Sequence, residues 1–230
     1  MFRDKYKDKF YFEKRLQFNT KTFNEFEELK GEVPKDRLSY FYIAQSGYTR
    51  KLLTINYSLG NSIDEVFNWF KISLKYYSLS YTENDGYFTI IDYLSLAVLF
   101  ENRKEEFIDD LRVLFDKYIQ YSETGEEYVQ DDYIDFLGSY LVDDRVVGFH
   151  SHLEYLNMIG DTADSVIEAQ KFWYYAHSEA WWYDTHKTED AYYGYWSFDT
   201  AALCKIRGIY DERFKDLDFF PYDLLVQEEQ

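Results

Sequence analysis

The fold class of this chain is decided by residues 103–121, which read RKEEFIDDLRVLFDKYIQY. The apolar side chains of this stretch recur at spacings of three and four residues, so they fall on one stripe of an α-helix, while acidic side chains cover most of the remaining surface. The stripe consists of Phe107, Ile108, Leu111, Leu114, Phe115, Tyr118 and Ile119. The pattern therefore predicts an amphipathic helix over 103–121.

The same spacing recurs along the whole chain, whose 230 residues include only two prolines. We predict an all-α protein in which two helical regions, 1–122 and 123–230, pack into one compact helical bundle-like unit. Ser62 and Glu65 form a capping box that predicts a helix start, and Gly60 predicts the end of the preceding helix. The predicted helices lie near 4–30, 36–59, 62–82, 87–101, 103–121, 128–142, 145–159, 162–177 and 195–207.

The charge of the chain is strongly negative and unevenly distributed. It has 25 Lys and Arg residues against 43 Asp and Glu residues, a formal net charge of −18. Residues 101–200 hold seven basic and 23 acidic side chains, whereas residues 1–50 hold 11 and eight. Because nucleic acid is bound through Lys and Arg, this composition argues against nucleic acid as a direct ligand. The negative field serves solubility or favours a basic protein partner.

The sequence also bears on the cellular compartment of the protein and on which aromatic side chains reach its surface. The first residues contain no apolar run of signal-peptide length, and no later stretch approaches the roughly 20 apolar residues of a membrane span, so we expect a cytoplasmic protein. The single cysteine, Cys204, reads as a small buried hydrophobic residue. The runs 173–175, 181–183 and 192–193 contain too many rings for all to face one core, so some must line a second surface.

Sequence patterns that indicate catalysis or metal binding are weak in this chain. The four histidines are His150, His152, His177 and His186. His150 and His152 would point in nearly opposite directions on a helix, which does not suit a metal site. His177, Glu179, Asp184 and His186 form a denser polar group that suits either a metal or acid–base site or a hydrogen-bond network bracing a loop. Nucleophile elbows and phosphate loops are missing, so we predict no catalytic residue, no metal and no cofactor.

The C-terminal part of the chain carries a motif. Residues 193–199 read YGYWSFD, AAL follows at 201–203, and FPYDL closes the region at 220–224. This text resembles the signature of the PoNi family, the immunity proteins of polymorphic nuclease toxins, distinctly from Trp173 to Leu225 and weakly before about residue 120. One departure is Asp199, where the family more often has Glu. The signature residues are Gly194, Tyr195, Trp196, Phe198, Asp199, Pro221, Tyr222 and Asp223.

The resemblance implies a helical immunity protein that binds a cognate DNase toxin and blocks its DNA-binding or active-site surface. We expect the signature to be structural: Trp196, Phe198 and the following alanines would form a packing wedge, and Asp199 would cap its helix or pair with Lys171 or Arg207. The residues expected to contact the toxin are Glu123, Glu126, Glu127, Asp131, Asp132, Asp135, Asp143 and Asp144. The oligomeric state stays open.

Two alternatives from other classes remain. A helical protein-interaction adaptor of unrelated function would share the same patterns. A metal-dependent hydrolase would use His177, Asp184 and His186. The position of the gene beside a toxin gene would distinguish the adaptor, and elemental analysis of the pure protein would distinguish the hydrolase.

Overall fold

The computed structural model describes residues 1–124, 131–188 and 190–227. Over these residues the secondary structure consists of α-helices and short 3-10 helices, with no β-strand. The predicted all-α fold class is therefore confirmed.

The chain contains ten α-helices within its described part, and their bounds are as follows. They are α1 (Lys9–Leu29), α2 (Leu38–Leu59), α3 (Ile63–Ser80), α4 (Tyr87–Leu99), α5 (Ile108–Thr124), α6 (Asp132–Asp143), α7 (Glu154–Met158), α8 (Ala163–Ala176), α9 (Phe198–Arg207) and α10 (Tyr222–Leu225). Short 3-10 helices occupy Lys30–Glu32, Lys35–Arg37, Glu101–Glu106, Thr185–Lys187 and Glu212–Asp216.

Local signals in the sequence set several of these bounds. The hydroxyl of Ser62 accepts a hydrogen bond from the backbone nitrogen of Glu65 at 3.2 Å and so caps the start of α3. Gly60 follows α2 with a φ of 79°, a left-handed conformation that favours glycine. Gly208 ends α9 in the same way, with a φ of 67°. The predicted start of α3 and the predicted ends of α2 and α9 are confirmed.

Three predicted helices differ from the structure by five or more residues at one end. The helix predicted from residue 4 begins only at Lys9, after its N-cap Asp8. Residues 101–106 form a 3-10 helix, and α5 begins only at Ile108 because Arg103 and Phe107 leave the helical conformation. The helix predicted over 145–159 is wrong except for α7. There the Oγ atom of Ser151 accepts from the backbone nitrogen of Leu153 at 3.1 Å, and Asn157 accepts from the backbone nitrogen of Ser151 at 2.9 Å. These side chains supply the backbone with partners outside a helix.

The described residues divide into two compact units, each assembled from several chain segments. The first unit comprises residues 1–81, 109–114 and 184–195, and the second comprises 82–108, 115–183 and 196–230. Neither unit is one continuous stretch of chain, so the two units do not test the predicted division into regions 1–122 and 123–230. That division stays a prediction.

In the first unit, α2 packs against both α1 and α3. Its core includes a cluster of buried Phe23, Phe41, Leu52 and Tyr76. The segment 184–195 joins this unit through α1, since the hydroxyl of Tyr11 donates to the carbonyl oxygen of Tyr192 at 2.9 Å.

In the second unit, α4 packs against α6 and α9, and α8 packs against α7 and α9. Leu94 in α4, Leu137 in α6 and Leu203 in α9 are fully buried. Cys204 is also fully buried, and burial raises the pKa of its thiol to about 12. The thiol therefore stays protonated, and the predicted role of Cys204 as a small hydrophobic core residue is confirmed.

Candidate functional site

The side chain and the carbonyl oxygen of Asp199 together connect four helices of the second unit. Asp199 lies in the first turn of α9 and is only 2% exposed. Its Oδ1 accepts from the indole nitrogen of Trp173 in α8 at 3.0 Å, and its Oδ2 accepts from the hydroxyl of Tyr155 in α7. Its carbonyl oxygen accepts from the hydroxyl of Tyr133 in α6 at 2.9 Å. One motif residue thus holds α6, α7 and α8 against α9.

The partners of Asp199 are neutral donors rather than the expected cations. Lys171 instead lies 2.5 Å from Oε1 of Glu168, and Arg207 donates to the carbonyl oxygens of Ile159 and Gly160. Burial raises the pKa of Tyr155 well above its ordinary value of 10.0, and the nearby charge of Asp199 raises it further. The Tyr155 hydroxyl therefore keeps its proton and remains a donor to the carboxylate.

The other signature residues near α9 differ in burial. Phe198 is 5% exposed, and Ala201 and Ala202 are fully buried. Trp196 is only partly buried, so the expected packing wedge contains Phe198 and the alanines rather than the whole Trp196 ring. Gly194 has a φ of 110°, which favours glycine, and it lies before the start of α9 at Phe198 rather than inside a helix.

The remaining signature residues lie in both units. Tyr195, in the first unit, is buried, and its hydroxyl accepts from the backbone nitrogen of His186 at 3.0 Å. Pro221 is buried in the second unit, directly before α10. Tyr222 and Asp223 begin α10, where Tyr222 is partly buried and Asp223 is exposed.

Sequence reasoning missed Gln170. Its amide nitrogen donates to Oγ of Ser197 at 2.8 Å and to the carbonyl oxygen of Asp218 at 2.9 Å, inside a buried part of the second unit. A signal was available, since Gln170 is a polar residue on the same helical face as the apolar Val166 and Trp173. A buried amide in such a position usually has specific partners.

The acidic residues expected to contact a partner are differently placed within the second unit. Glu123 lies exposed near the end of α5, Asp132 lies exposed in the first turn of α6, and Asp143 and Asp144 lie exposed at its end. Asp135 is partly buried in α6. Glu126 and Glu127 lie outside the described residues.

Asp131 has a structural role at the start of α6. Its Oδ1 accepts from the backbone nitrogens of Tyr133 at 2.9 Å and Ile134 at 3.0 Å, which makes it the N-cap. Its Oδ2 lies 3.3 Å from Nδ1 of His152, and the side chain of Asp131 is only 10% exposed. Little of this carboxylate is left for an external partner.

The negative charge of the chain is concentrated in the second unit. The sequence of that unit holds 28 Asp and Glu residues against nine Lys and Arg residues, whereas the first unit holds 15 against 16. The second unit thus has a formal charge of −19, and the first is nearly neutral. A charge excess of this size gives the second unit a negative potential, which favours cations over anions near its surface.

The histidines have separate surroundings. His177 is buried in the second unit, where its Nδ1 donates to the carbonyl oxygen of Trp173 at 2.7 Å. His186, in the first unit, stacks on Tyr6 with a centroid distance of 4.3 Å. His150 and His152 are exposed in the irregular segment before α7. Among the described residues, no group of three or more His, Cys, Asp or Glu side chains could hold a metal ion.

The ring-rich runs are divided between core and surface, as predicted. Trp173 is 2% exposed and Tyr192 is 1% exposed, whereas Tyr175 and Trp181 are mostly exposed. The prediction that the rings do not all face one core is confirmed. No helix within the described ranges is both long and apolar enough to cross a bilayer.

Comparison with known proteins identifies two matching family models. The model of the N-terminal part of PoNe immunity proteins (PoNi) matches residues 3–110, and the model of their C-terminal part matches residues 157–224. The second match contains Trp173, Asp199 and Gln170. Neither a curated protein nor a solved structure matches the chain.

Proposed function

The chain belongs to the family of PoNe immunity proteins, and from this premise we propose that it neutralises a cognate PoNe-type nuclease toxin by binding it through the acidic second unit. The family match covers most of the chain, so the coarse function follows from membership. The proposal concerns the binding mode and the surface that is used.

The concentration of charge in the second unit carries this proposal. A nuclease that binds DNA presents Lys and Arg side chains to the phosphates, and this basic surface is complementary to a unit with a formal charge of −19. Glu123, Asp132 and Asp143 extend exposed carboxylates from two helices of that unit. These carboxylates would speed the encounter with the toxin and orient it.

Such binding would block the access of DNA to the toxin. Occupation of the basic surface competes directly with phosphate contacts and needs neither a cofactor nor a chemical step. The protein would then act stoichiometrically, in the cytoplasm of the cell that makes it. The acidic unit would occupy the place of the DNA backbone without supplying a phosphodiester bond for cleavage.

Co-expression with the PoNe-type nuclease encoded beside the gene tests the proposal. We expect survival of cells that contain both proteins, and we expect the purified pair to elute as one complex with a fixed molar ratio. Titration of DNA cleavage with the purified protein should reach full inhibition at that ratio. Full inhibition by a small fraction of an equivalent would show catalytic inactivation of the toxin instead, and the absence of a complex would refute the proposal.

A further inference from the structure

Three large rings are exposed on α8 and in the turn after it. Phe172, Tyr175 and Trp181 are 51%, 70% and 61% exposed. Phe172 and Tyr175 are three residues apart and are therefore neighbours on the surface of the helix. We call these three residues the α8 aromatic face. Such a group of large rings on a surface is more typical of an interaction site than of free solvent-facing positions.

Tyr175, one member of the α8 aromatic face, contacts a layer of packed rings. Tyr175 meets the edge of Tyr174 at a centroid distance of 5.8 Å. Tyr174 in turn stacks with Tyr183 at 4.6 Å and with Phe219 at 5.3 Å. This layer restricts the motion of Tyr174, and the contact with Tyr174 restricts Tyr175 on one side. Rings held in this way lose little conformational entropy on binding, which is a property of strong anchor residues.

The surroundings of the α8 aromatic face are acidic. Glu168 and Glu179 lie exposed before and after Tyr175 in the sequence, and Lys171 is paired with Glu168 at 2.5 Å. Glu179 has no ion pair within the described ranges of the chain. A ring next to a carboxylate suits an Arg or Lys side chain, because the cation can stack on the ring and pair with the acid.

The charge of the second unit also distinguishes between two possible binding partners of the α8 aromatic face. A second copy of this chain would bring another unit with a formal charge of −19 against the first, which opposes self-association through this face. A basic protein gains from the same field. We propose that Phe172, Tyr175 and Trp181 form the anchor of the toxin interface and receive Arg and Lys side chains of the nuclease. This inference rests on the proposed function.

The proposal separates two contributions to binding. The carboxylates of the second unit set the rate of association, while the α8 aromatic face sets the rate of dissociation. Anchor rings at protein interfaces commonly account for a large part of the affinity when they are removed. The double variant Tyr175→Ala/Trp181→Ala should therefore bind the toxin at least about tenfold more weakly, chiefly through faster dissociation.

Matched variants exist in the nearly neutral first unit. Phe10 and Tyr40 are 73% and 72% exposed, so Phe10→Ala/Tyr40→Ala removes a similar amount of exposed ring surface. Surface plasmon resonance with the immobilised full-length nuclease would measure both double variants. We expect the control pair to bind like the wild type. Equal losses in both double variants would overturn the proposal, because the effect would not depend on the α8 aromatic face.

A charge substitution keeps the test decisive if Trp181→Ala alters the fold. Tyr175→Lys should weaken binding more than Tyr175→Ala because it repels a basic partner, while Tyr40→Lys should have no effect. Both variants should melt like the wild type, since these side chains are exposed. Unchanged binding of Tyr175→Lys would overturn the inference. If the wild type itself failed to bind the nuclease, both this inference and the proposed function would be refuted.

Self-association through the α8 aromatic face is a further possible outcome that light scattering would detect. Light scattering of the wild type at increasing concentration should show no dimer that depends on the α8 aromatic face. A dimer that Tyr175→Lys disrupts would overturn the choice of the nuclease as the occupant, while leaving the proposed function to be judged by the co-expression experiment.

Discussion

The indole nitrogen of Trp173 donates to Oδ1 of Asp199 at 3.0 Å in a part of the second unit that excludes solvent. The two residues are 26 positions apart, and their bond joins α8 to α9. Because Tyr155 also donates to this carboxylate, Asp199 satisfies two buried donors at once. This relationship gives a structural reason for an acidic residue in the family signature.

Removal of the Asp199 carboxylate should destabilise the protein. Asp199→Ala would leave the buried donors of Trp173 and Tyr155 without an acceptor, and each unsatisfied donor costs roughly 1–3 kcal/mol. We expect a loss of several kcal/mol in the free energy of unfolding, measured by urea denaturation. Asp132→Asn, at an exposed position of α6, serves as the control and should change stability little. A fully stable Asp199→Ala variant would contradict the structural role.

Acid should destabilise the protein through His177. Burial lowers the pKa of its imidazole below the ordinary 6.5, and the charge of Asp199 and the carbonyl oxygen of Trp173 offset this only in part. The unfolded chain takes up a proton near pH 6.5 that the folded protein resists, so the free energy of unfolding should fall as the pH decreases below this value. Urea midpoints between about pH 7.5 and 5.5 measure the slope.

A pair of variants isolates this contribution. His177→Gln should flatten the dependence of stability on pH, whereas His150→Gln, at an exposed position, should leave it as in the wild type. Both variants should still protect cells from the toxin as long as they fold. An unchanged slope in His177→Gln would show that other groups cause the acid sensitivity.

Two glycines in helices should respond in opposite ways to alanine. A Cβ atom on Gly138 in α6 would lie 2.0 Å from the ring of Phe115 in α5, so Gly138→Ala must displace a buried ring at a cost of roughly 1–3 kcal/mol. A Cβ atom on Gly47 in α2 meets nothing within 4 Å, and Gly47→Ala should stabilise the protein by roughly 0.5–1 kcal/mol. Chemical denaturation of both variants checks the sign. Stabilisation by Gly138→Ala would contradict the packing of α5 on α6.

The rate of association with the toxin should depend on the exposed acids of the second unit. Added salt shortens the Debye length from roughly 30 Å at 0.01 M to 10 Å at 0.1 M, so association should slow. The triple variant Glu123→Gln/Asp132→Asn/Asp143→Asn should lower the association rate several-fold with little change in melting temperature. Stopped-flow mixing with the nuclease measures both effects.

The control for this prediction changes the same charge elsewhere. Glu28, Glu32 and Asp36 are exposed in the first unit, and their triple amide variant should associate at nearly the wild-type rate. Asp131 is left out of the test because it caps α6, so its replacement by Lys would change stability as well as charge. Equal slowing by the two triple variants would refute steering by the second unit and leave only a general effect of net charge.

The helical class and the helix bounds that depend on local interactions follow from the amino-acid sequence alone. Ser62 caps α3 through the amide of Glu65, three residues away, and Gly60 ends α2 through its own φ of 79°. The spacing of apolar residues identified the buried side of α5, apart from Ile119, which is 38% exposed. The motif at 193–224 identified the family. These features were predictable because each depends on residues within a few positions of one another, or on text that the family shares.

Contacts between residues that are distant in the chain depend on the folded structure and could not be predicted from local patterns. The donors to Asp199 and to its carbonyl oxygen come from 26, 44 and 66 positions away, a choice that no helical period encodes. The same holds for the 184–195 segment, which joins the first unit. The total charge follows from the sequence. The folded chain holds nearly all of the excess of acidic side chains in one unit, because each compact unit consists of segments that pack together whatever their order along the chain.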